Sequence, residues 1–324
     1  MSTITREVSA RISILRFLLI SGVVLLHIPS DPLVDKADTN IFPFITAFVS
    51  HALFKTTVPM LTCISGFLLF HSSLDQNFPK LLAKKTKSLL LPFLLSNVPL
   101  AAFVYYGQAN GLFADFRAHL YPPEATTVLD AVLSMTTSPV NHPLYFLRDL
   151  FILSLLSPLL GLMIRKTPWI GLLALCVVVI LDLDGPIILR DTMIVNFYMG
   201  GMAAVLLWDL TKLDRFAPIC AALLLGACVA IVGFWVEDIR AFAIVAPFLI
   251  WPISSMLVGT SVGNLCEWLS PRSFFVFLTH APIIMVLWDY YLKSHVVSYE
   301  VFWLTAPVLI IATCVAAHKI VRSV

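Results

Sequence analysis

The chain has 324 residues, 59% of them hydrophobic and only 12% charged, and its mean hydropathy is +0.93. A soluble domain carries about 25% charged residues, so the composition excludes an ordinary soluble enzyme and indicates an integral membrane protein, embedded over nearly its whole length. The net charge of +2 decides little by itself, and no nucleic-acid partner is expected.

About 20 apolar residues cross a bilayer as a helix. The first span runs from about Ile12 to the Ile28–Pro29 region and contains R-F-L-L-I-S-G-V-V-L-L-H, Arg16 to His27. At about 100° per residue, the steps between these two residues come to roughly three turns, which puts both on one helix face about 16 Å apart. Two readings are open. The arginine can snorkel to the cytoplasmic headgroups while the histidine sits at the opposite interface, or both line a polar cavity, as ionisable groups inside membranes usually do.

Asp31 to Asp38 reads as a short polar loop. Ile41 to Phe70 is too long for one straight span and is interrupted by Lys55 and Pro59, so a partial helix is expected first and then a span from Thr57 to His71. Phe78 to Ser88 carries Lys80, Lys84, Lys85 and Lys87, and the third span follows over Leu89–Tyr106. Gly107–Pro143 is the longest irregular region, with a short surface or re-entrant helix at Val128–Met135. The later spans are Leu144–Ile164, Trp169–Leu181, Ile187–Trp208, Phe216–Val236, Ala241–Gly259, Ser273–Tyr291 and Val301–Val321. The expected fold is all-α and polytopic, about ten transmembrane helices enclosing a polar cavity. It forms a single domain over residues 1–324, with no internal repeat.

The basic residues set the orientation. With the N-terminus in the cytoplasm, Arg6, Arg11, the Lys80–Lys87 run, Arg165, Lys166, Lys212, Arg215, Arg272, Lys319 and Arg322 all fall inside. Lys36, Arg117, Arg240 and Lys293 fall outside, mostly among acidic residues. Both termini are then cytoplasmic. Cys63, Cys176, Cys220, Cys228, Cys266 and Cys314 lie in or beside apolar runs without a C-x-x-C pair and read as small buried hydrophobes. No metal site and no cleavable signal peptide are expected.

The outward half of the bundle gathers His27, Lys55, His142, Arg148, Asp149, Arg190, Asp191 and His280. Taken singly, each has a bland reading: an interfacial ion pair for Arg148–Asp149, a hydrogen-bonded core histidine for His280, a headgroup contact for Lys55. Together they place several cations where a lipid-facing wall would carry none. The cytoplasmic lysines serve as the positive-inside signal, as an anionic-lipid contact, or as a site for phosphates of a nucleotide-like ligand.

Several of these stretches together resemble the membrane-bound acyltransferase-3 family. Arg16–His27 matches the R-x10-H motif of its first helix. V-P-M-L-T-C-I-S-G-F-L-L, Val58 to Leu69, is similar to its P-x-F-F-x-x-S-G-F-L-L segment, and the lysine run stands where the family carries a basic cytoplasmic stretch. H-P-L-Y-F-L resembles H-L-W-F-L, with Tyr145 where tryptophan is common, and F-V-F-L-T-H-A-P resembles Y-L-x-H-x-P, which places His280 on its histidine. The resemblance covers nearly the whole chain. It departs in having lysines for arginines in the basic run. No soluble esterase-like domain is expected after the last span, so the membrane domain would complete transfer by itself.

The resemblance implies an O-acyltransferase of the cell inner membrane. Such proteins move an acyl group, often acetyl or succinyl, from cytoplasmic acyl-CoA to a hydroxyl of a polysaccharide or lipid-linked sugar, and acetyl-CoA is the first donor to expect. It makes His27 the candidate catalytic residue with Arg16 as its partner, His280 and Arg148 further candidates, and Lys84, Lys85 and Lys87 the groups facing the CoA phosphates. A neutral histidine could act as general base or accept the acyl group itself, and Arg148 or Lys55 could face the developing oxyanion. Two other classes compete: a transporter using the same cavity, and an inactive anchor or assembly subunit. The acyl group, the acceptor and the oligomeric state are not readable from the sequence.

The lysine bias makes a topological prediction. A cysteine placed at position 85 should be labelled only from the cytoplasm, and one at position 35 from outside. Labelling of position 85 from outside in intact cells would invert the orientation.

Overall fold

Apolar runs punctuated by proline, glycine and short polar turns dictate helices, and the computed structural model is built of them. It describes residues 4–30, 41–113, 118–183, 185–294 and 296–323, and among these no residue lies in a strand. The expected loop at Asp31–Asp38 and Arg117 lie outside the described residues. The α-helices are α1 (Arg6–Leu26), α2 (Ile41–Ala47), α3 (Thr57–His71), α4 (Phe78–Lys85), α5 (Leu91–Ala109), α6 (Ala125–Leu133), α7 (Tyr145–Lys166), α8 (Pro168–Ile180), α9 (Thr192–Val205), α10 (Ala217–Gly233), α11 (Arg240–Ser255), α12 (Ser261–Ser294) and α13 (Tyr299–Ser323). Among the described residues seven helical stretches are long and apolar enough to cross a membrane, and three shorter apolar helices are α8, α9 and α11.

The interruption expected around Lys55 is present. Between α2 and α3 the helix passes through a π-helical stretch, Phe48–Ala52, and a 3-10 turn, Leu53–Thr56, and resumes at Thr57. The lysine run is helical too: α4 continues through a π-helical stretch, Thr86–Leu90, into α5. The surface helix begins at Ala125 rather than Val128. The largest difference is α12, which starts at Ser261 and runs through Pro271, where the sequence reads as a boundary before Ser273. Proline removes one hydrogen bond and crowds the preceding turn, but membrane helices tolerate it where neighbours satisfy the freed groups.

The chain forms two compact units, Met1–Ile64 with Trp208–Val324, and Ser65–Leu207. In the first, α1 lies chiefly against α12, α12 against α13, and α10 against α11. Ile14, Phe17 and Cys266 are buried together at the α1–α12 contact. The π-helical stretch packs on α10 through Ala52, Cys228, Ile231 and Val232. At the start of α1, buried Arg11 bonds Asp214 at 2.8 Å and Glu7 at 2.5 Å, with its guanidinium 5.7 Å from the Trp251 ring. A charge withdrawn from water is costly unless paired, and two carboxylates meet that requirement here.

In the second unit α7 packs against α4, α8 and α9. Arg165 pairs with buried Asp75 at 2.7 Å. Asp130 on α6 accepts from the backbone N–H groups of Thr136 and Thr137 and from their hydroxyls. Partial burial pushes its carboxyl up, but these bonds outweigh it and hold it below the usual carboxylate range. They fold the chain back after α6 and fix the position of Met135.

Gly66 in S-G-F-L-L is where α3 meets the backbone of α9. A β-carbon there would stand 2.2 Å from the Phe197 carbonyl oxygen, an atom that cannot swing aside. We predict that Gly66→Ala destabilises the protein by about 1–3 kcal/mol, the usual cost of overpacking, read as a lower melting temperature in detergent. An unchanged melting temperature would show that these backbones do not touch.

Candidate active site

His27 and His280 come together in the first unit, with ring centroids 5.5 Å apart and planes at 63°. His27 caps the C-terminus of α1, and its Nδ1 lies 2.7 Å from the Val23 carbonyl oxygen. A carbonyl only accepts, so Nδ1 carries the proton and donates it, which makes Nε2 the basic nitrogen. His280 is arranged the same way from α12. It is fully buried, and its Nδ1 faces the carbonyl oxygens of Phe277 at 2.9 Å and Val276 at 3.2 Å. Its Nε2 is buried without a hydrogen-bond partner among the described residues. In both rings the Nδ1–H is taken up by the ring's own helix backbone, which fixes the ring and directs Nε2 away from it.

Arg16 lies in the middle of α1, an exposed residue in an apolar helix, and no described residue hydrogen-bonds or pairs with its guanidinium. Arg11, one and a half turns earlier, shows what a structural arginine in this helix looks like: it is buried and bonded to two carboxylates.

A cavity of about 810 Å³ opens at the His27 end of α1, within the usual size range of small-molecule sites. It touches the last residue of α1, Leu26, and Ile28 just beyond it, on either side of His27, but neither Arg16 nor His27 is among its described lining residues. Lys55 reaches it from the 3-10 turn and His51 from the π-helical stretch. Gly22 makes this approach possible, because a β-carbon there would stand 2.3 Å from the Phe54 ring. The Tyr299 hydroxyl donates to the Pro29 carbonyl at 3.0 Å and ties the start of α13 to the exit of α1.

One wall of the cavity is unusual. The turn after α10 brings Trp235 into the left-handed region, φ 48°, closed by the Val236 N–H to the Ile231 carbonyl at 2.9 Å. Glycine is the ordinary residue in that position, and a bulky side chain there costs about 1–2 kcal/mol. The Trp235 ring lies parallel to His51, centroids 5.2 Å apart, and His51 Nε2 is 3.1 Å from the Val236 carbonyl oxygen.

The remaining predicted residues belong to the second unit. Arg148 bonds Asp149 at 2.8 Å, the Ile187 carbonyl at 2.5 Å and the Met135 carbonyl at 3.2 Å. Fully buried Asp149 also accepts from the backbone N–H groups of Leu189 and Arg190. The pair is thus a clamp that holds two loops to the start of α7. Lys80, Lys84 and Lys87 are exposed and Lys85 is half-buried on the α4 and π-helical stretch. Nothing in the sequence singles out Trp235, His51, Tyr299 or the Asp75–Arg165 pair. None stands in a motif, and a left-handed tryptophan has no local signature.

Residues 9–318 match the family described as an acyltransferase domain. The chain is 35% identical over 330 residues to the succinoglycan biosynthesis protein ExoH of Rhizobium meliloti (strain 1021), an alignment covering 98% of this chain and 89% of the relative. No solved structure matches it significantly.

The clamp yields its own prediction. Asp149→Ala leaves the Arg148 guanidinium without its carboxylate and two backbone N–H groups without an acceptor. Breaking a buried pair costs about 3–5 kcal/mol, so the melting temperature in detergent should fall sharply. A melting temperature equal to wild type would mean that the pair does not hold these loops.

Proposed function

The chain belongs to that acyltransferase family and is a multi-pass membrane enzyme transferring groups other than aminoacyl, and on that premise we propose that it O-acylates a cell-surface or periplasmic polysaccharide, or its lipid-linked precursor, with acyl-CoA as donor. The relative's name ties that protein to succinoglycan biosynthesis, which favours a polysaccharide acceptor here and keeps succinyl beside acetyl as the transferred group. In this reading ten helices cross the inner membrane, the termini are cytoplasmic, and the two units work as one domain.

The observation that carries the reading is the His27–His280 pair. A sugar hydroxyl is a poor nucleophile at neutral pH. His27 Nε2 takes its proton as the oxygen attacks the thioester carbonyl. The tetrahedral intermediate collapses, the C–S bond breaks, and the proton passes to the departing CoA thiolate. The same nitrogen can instead attack the thioester carbonyl, the C–S bond breaking as CoA leaves as its thiolate; the hydroxyl then attacks the acyl-imidazole, the C–N bond breaks, and the hydroxyl proton passes by way of the freed imidazole to the thiolate. His280 supports either route as a second neutral imidazole beside the first. Arg16 brings a fixed positive charge to the same helix. Lys84, Lys85 and Lys87 hold the phosphates of CoA, for which an exposed cationic surface is suited. Arg148 acts as a positioning residue through its clamp.

His27→Ala tests the proposal. It should insert and accumulate normally, while acyl transfer falls by about 10² to 10⁴, the usual worth of general-base help. Transfer above a tenth of the wild-type rate, in protein of normal yield, would move the chemistry away from this histidine.

A further inference from the structure

The basic stretch after α3 enters the steps above only through its charge, yet α4 also carries exposed apolar side chains. At about 100° per residue, its side chains sort into three directions. Leu81 is fully buried where α4 packs on α7, and Lys85, about one turn later, is half-buried behind it. Phe78 and Leu82 share one flank and are 48% and 40% exposed. Lys80 and Lys84 share the other, on roughly the opposite side of the helix, and both are exposed. The Asn77 side chain caps the helix by accepting from the Lys80 N–H at 3.1 Å, so the pattern holds from the first turn.

Such a helix suits neither water nor hydrocarbon alone. It opens a continuous helical stretch of 32 residues, Phe78–Ala109, where about 20 cross a bilayer. The lysine-bearing first part is what the apolar remainder leaves outside the hydrocarbon, at the level of the headgroups. Helices that lie in this plane carry lysines on one side and Phe or Leu on the other, and sink the apolar side among the acyl chains. The charges then select the headgroups. Residues 74–88 hold four lysines and one acidic residue, Asp75, and Asp75 is buried and paired with Arg165. Each lysine near an anionic leaflet adds to the attraction, and its long stem reaches the headgroups while α4 stays against α7.

We propose that α4 is an interfacial helix docked on the cytoplasmic leaflet, with Phe78 and Leu82 among the acyl chains and Lys80 and Lys84 bound to the phosphates of anionic phospholipids. The choice of leaflet rests on the orientation given under the acyl-transfer reading, and the lipid surface itself does not. A lipid phosphate and the phosphates of CoA present the same chemistry to a lysine. The apolar flank decides for lipid here, because CoA offers no hydrocarbon layer for Phe78 and Leu82 to enter. Lys80 takes no part in the donor steps above, whereas Lys84 is common to both surfaces, so anionic lipid and acyl-CoA meet at one side chain.

A bimane label on Leu82→Cys, in full-length protein reconstituted into lipid nanodiscs, reports the lipid beside this flank. The same labelling without the new cysteine gives the background. Phosphatidylcholine brominated in its acyl chains should quench the label, which places the flank in the leaflet. Brominated phosphatidylglycerol, mixed with unbrominated phosphatidylcholine, should quench it at several-fold lower mole fraction. Adding Lys80→Gln, an exposed change that leaves the fold intact, should cut that preference about five-fold, the worth of one lysine at an anionic surface, with quenching by phosphatidylcholine unchanged. A label on Phe78→Cys repeats the reading from the same flank. A label that neither lipid quenches at either position, equal quenching by the two lipids, or a preference that survives Lys80→Gln undiminished overturns the proposal and leaves the lysines as a topological signal alone. Because the quenching is read without donor or turnover, failure of the acyl-transfer reading would not imitate failure here.

Discussion

The contact between α1 and α12 is what the remaining chemistry depends on. Within a bilayer there is little hydrophobic force to drive two apolar helices together, so their association rests on close packing and on a few polar contacts. Ile14, Phe17 and Cys266 supply the packing. At one end of α1 the Arg11 network fixes the helix against the Asp214 turn. At the other end Tyr299 holds the exit at Pro29. Between these anchors the register of α1 on α12 is set, and that register brings His27 to His280.

A second regularity explains why those two rings keep a basic nitrogen. Polar side chains throughout the helices bond back to their own backbone: Ser21 to Phe17, Thr62 to Val58, Ser154 to Leu150 and Thr279 to Phe275. This is the ordinary way for a polar group to be satisfied inside a helix that has no water beside it. A hydroxyl spends its one proton in this manner. The two histidines follow the same rule with Nδ1, but an imidazole has a second nitrogen of opposite character. The rule that makes a serine inert therefore orients a histidine.

Much of this was legible in the residues. Apolar run length located the helices, and Lys55 with Pro59 correctly marked the break between α2 and α3, because a charge and a proline both disfavour a buried regular turn. The order of short motifs along the chain pointed to the family. What the sequence concealed depends on contacts between distant segments. The continuation of α12 through Pro271 is decided by its neighbours, whereas proline signals a boundary when read locally. Arg148 reads as a candidate for chemistry because it stands among other cations. In the fold its guanidinium bonds Asp149 and two loop carbonyls, a role no spacing could reveal. His280 and His27 are separated by most of the chain, and only the helix pairing shows that they are neighbours. Their placement by motif is an inference about identity, while their closeness is an inference about shape.

Gly22 gives the two halves of this arrangement a common mechanical origin. Its missing side chain lets Phe54 rest against α1 about one and a half turns before His27, and Phe54 is the residue next to Lys55. The spacing between the histidine and the cavity wall is thus gauged by the thickness of one aromatic ring on a bare stretch of backbone. A methyl group at that point would touch no reacting atom, yet it would widen the gap between α1 and the 3-10 turn. Misplacement by about 1 Å at a distance from the chemistry can cost about 100-fold in rate. A change of girth at this one helix contact would therefore move the end of α1 against its neighbour with every polar residue kept.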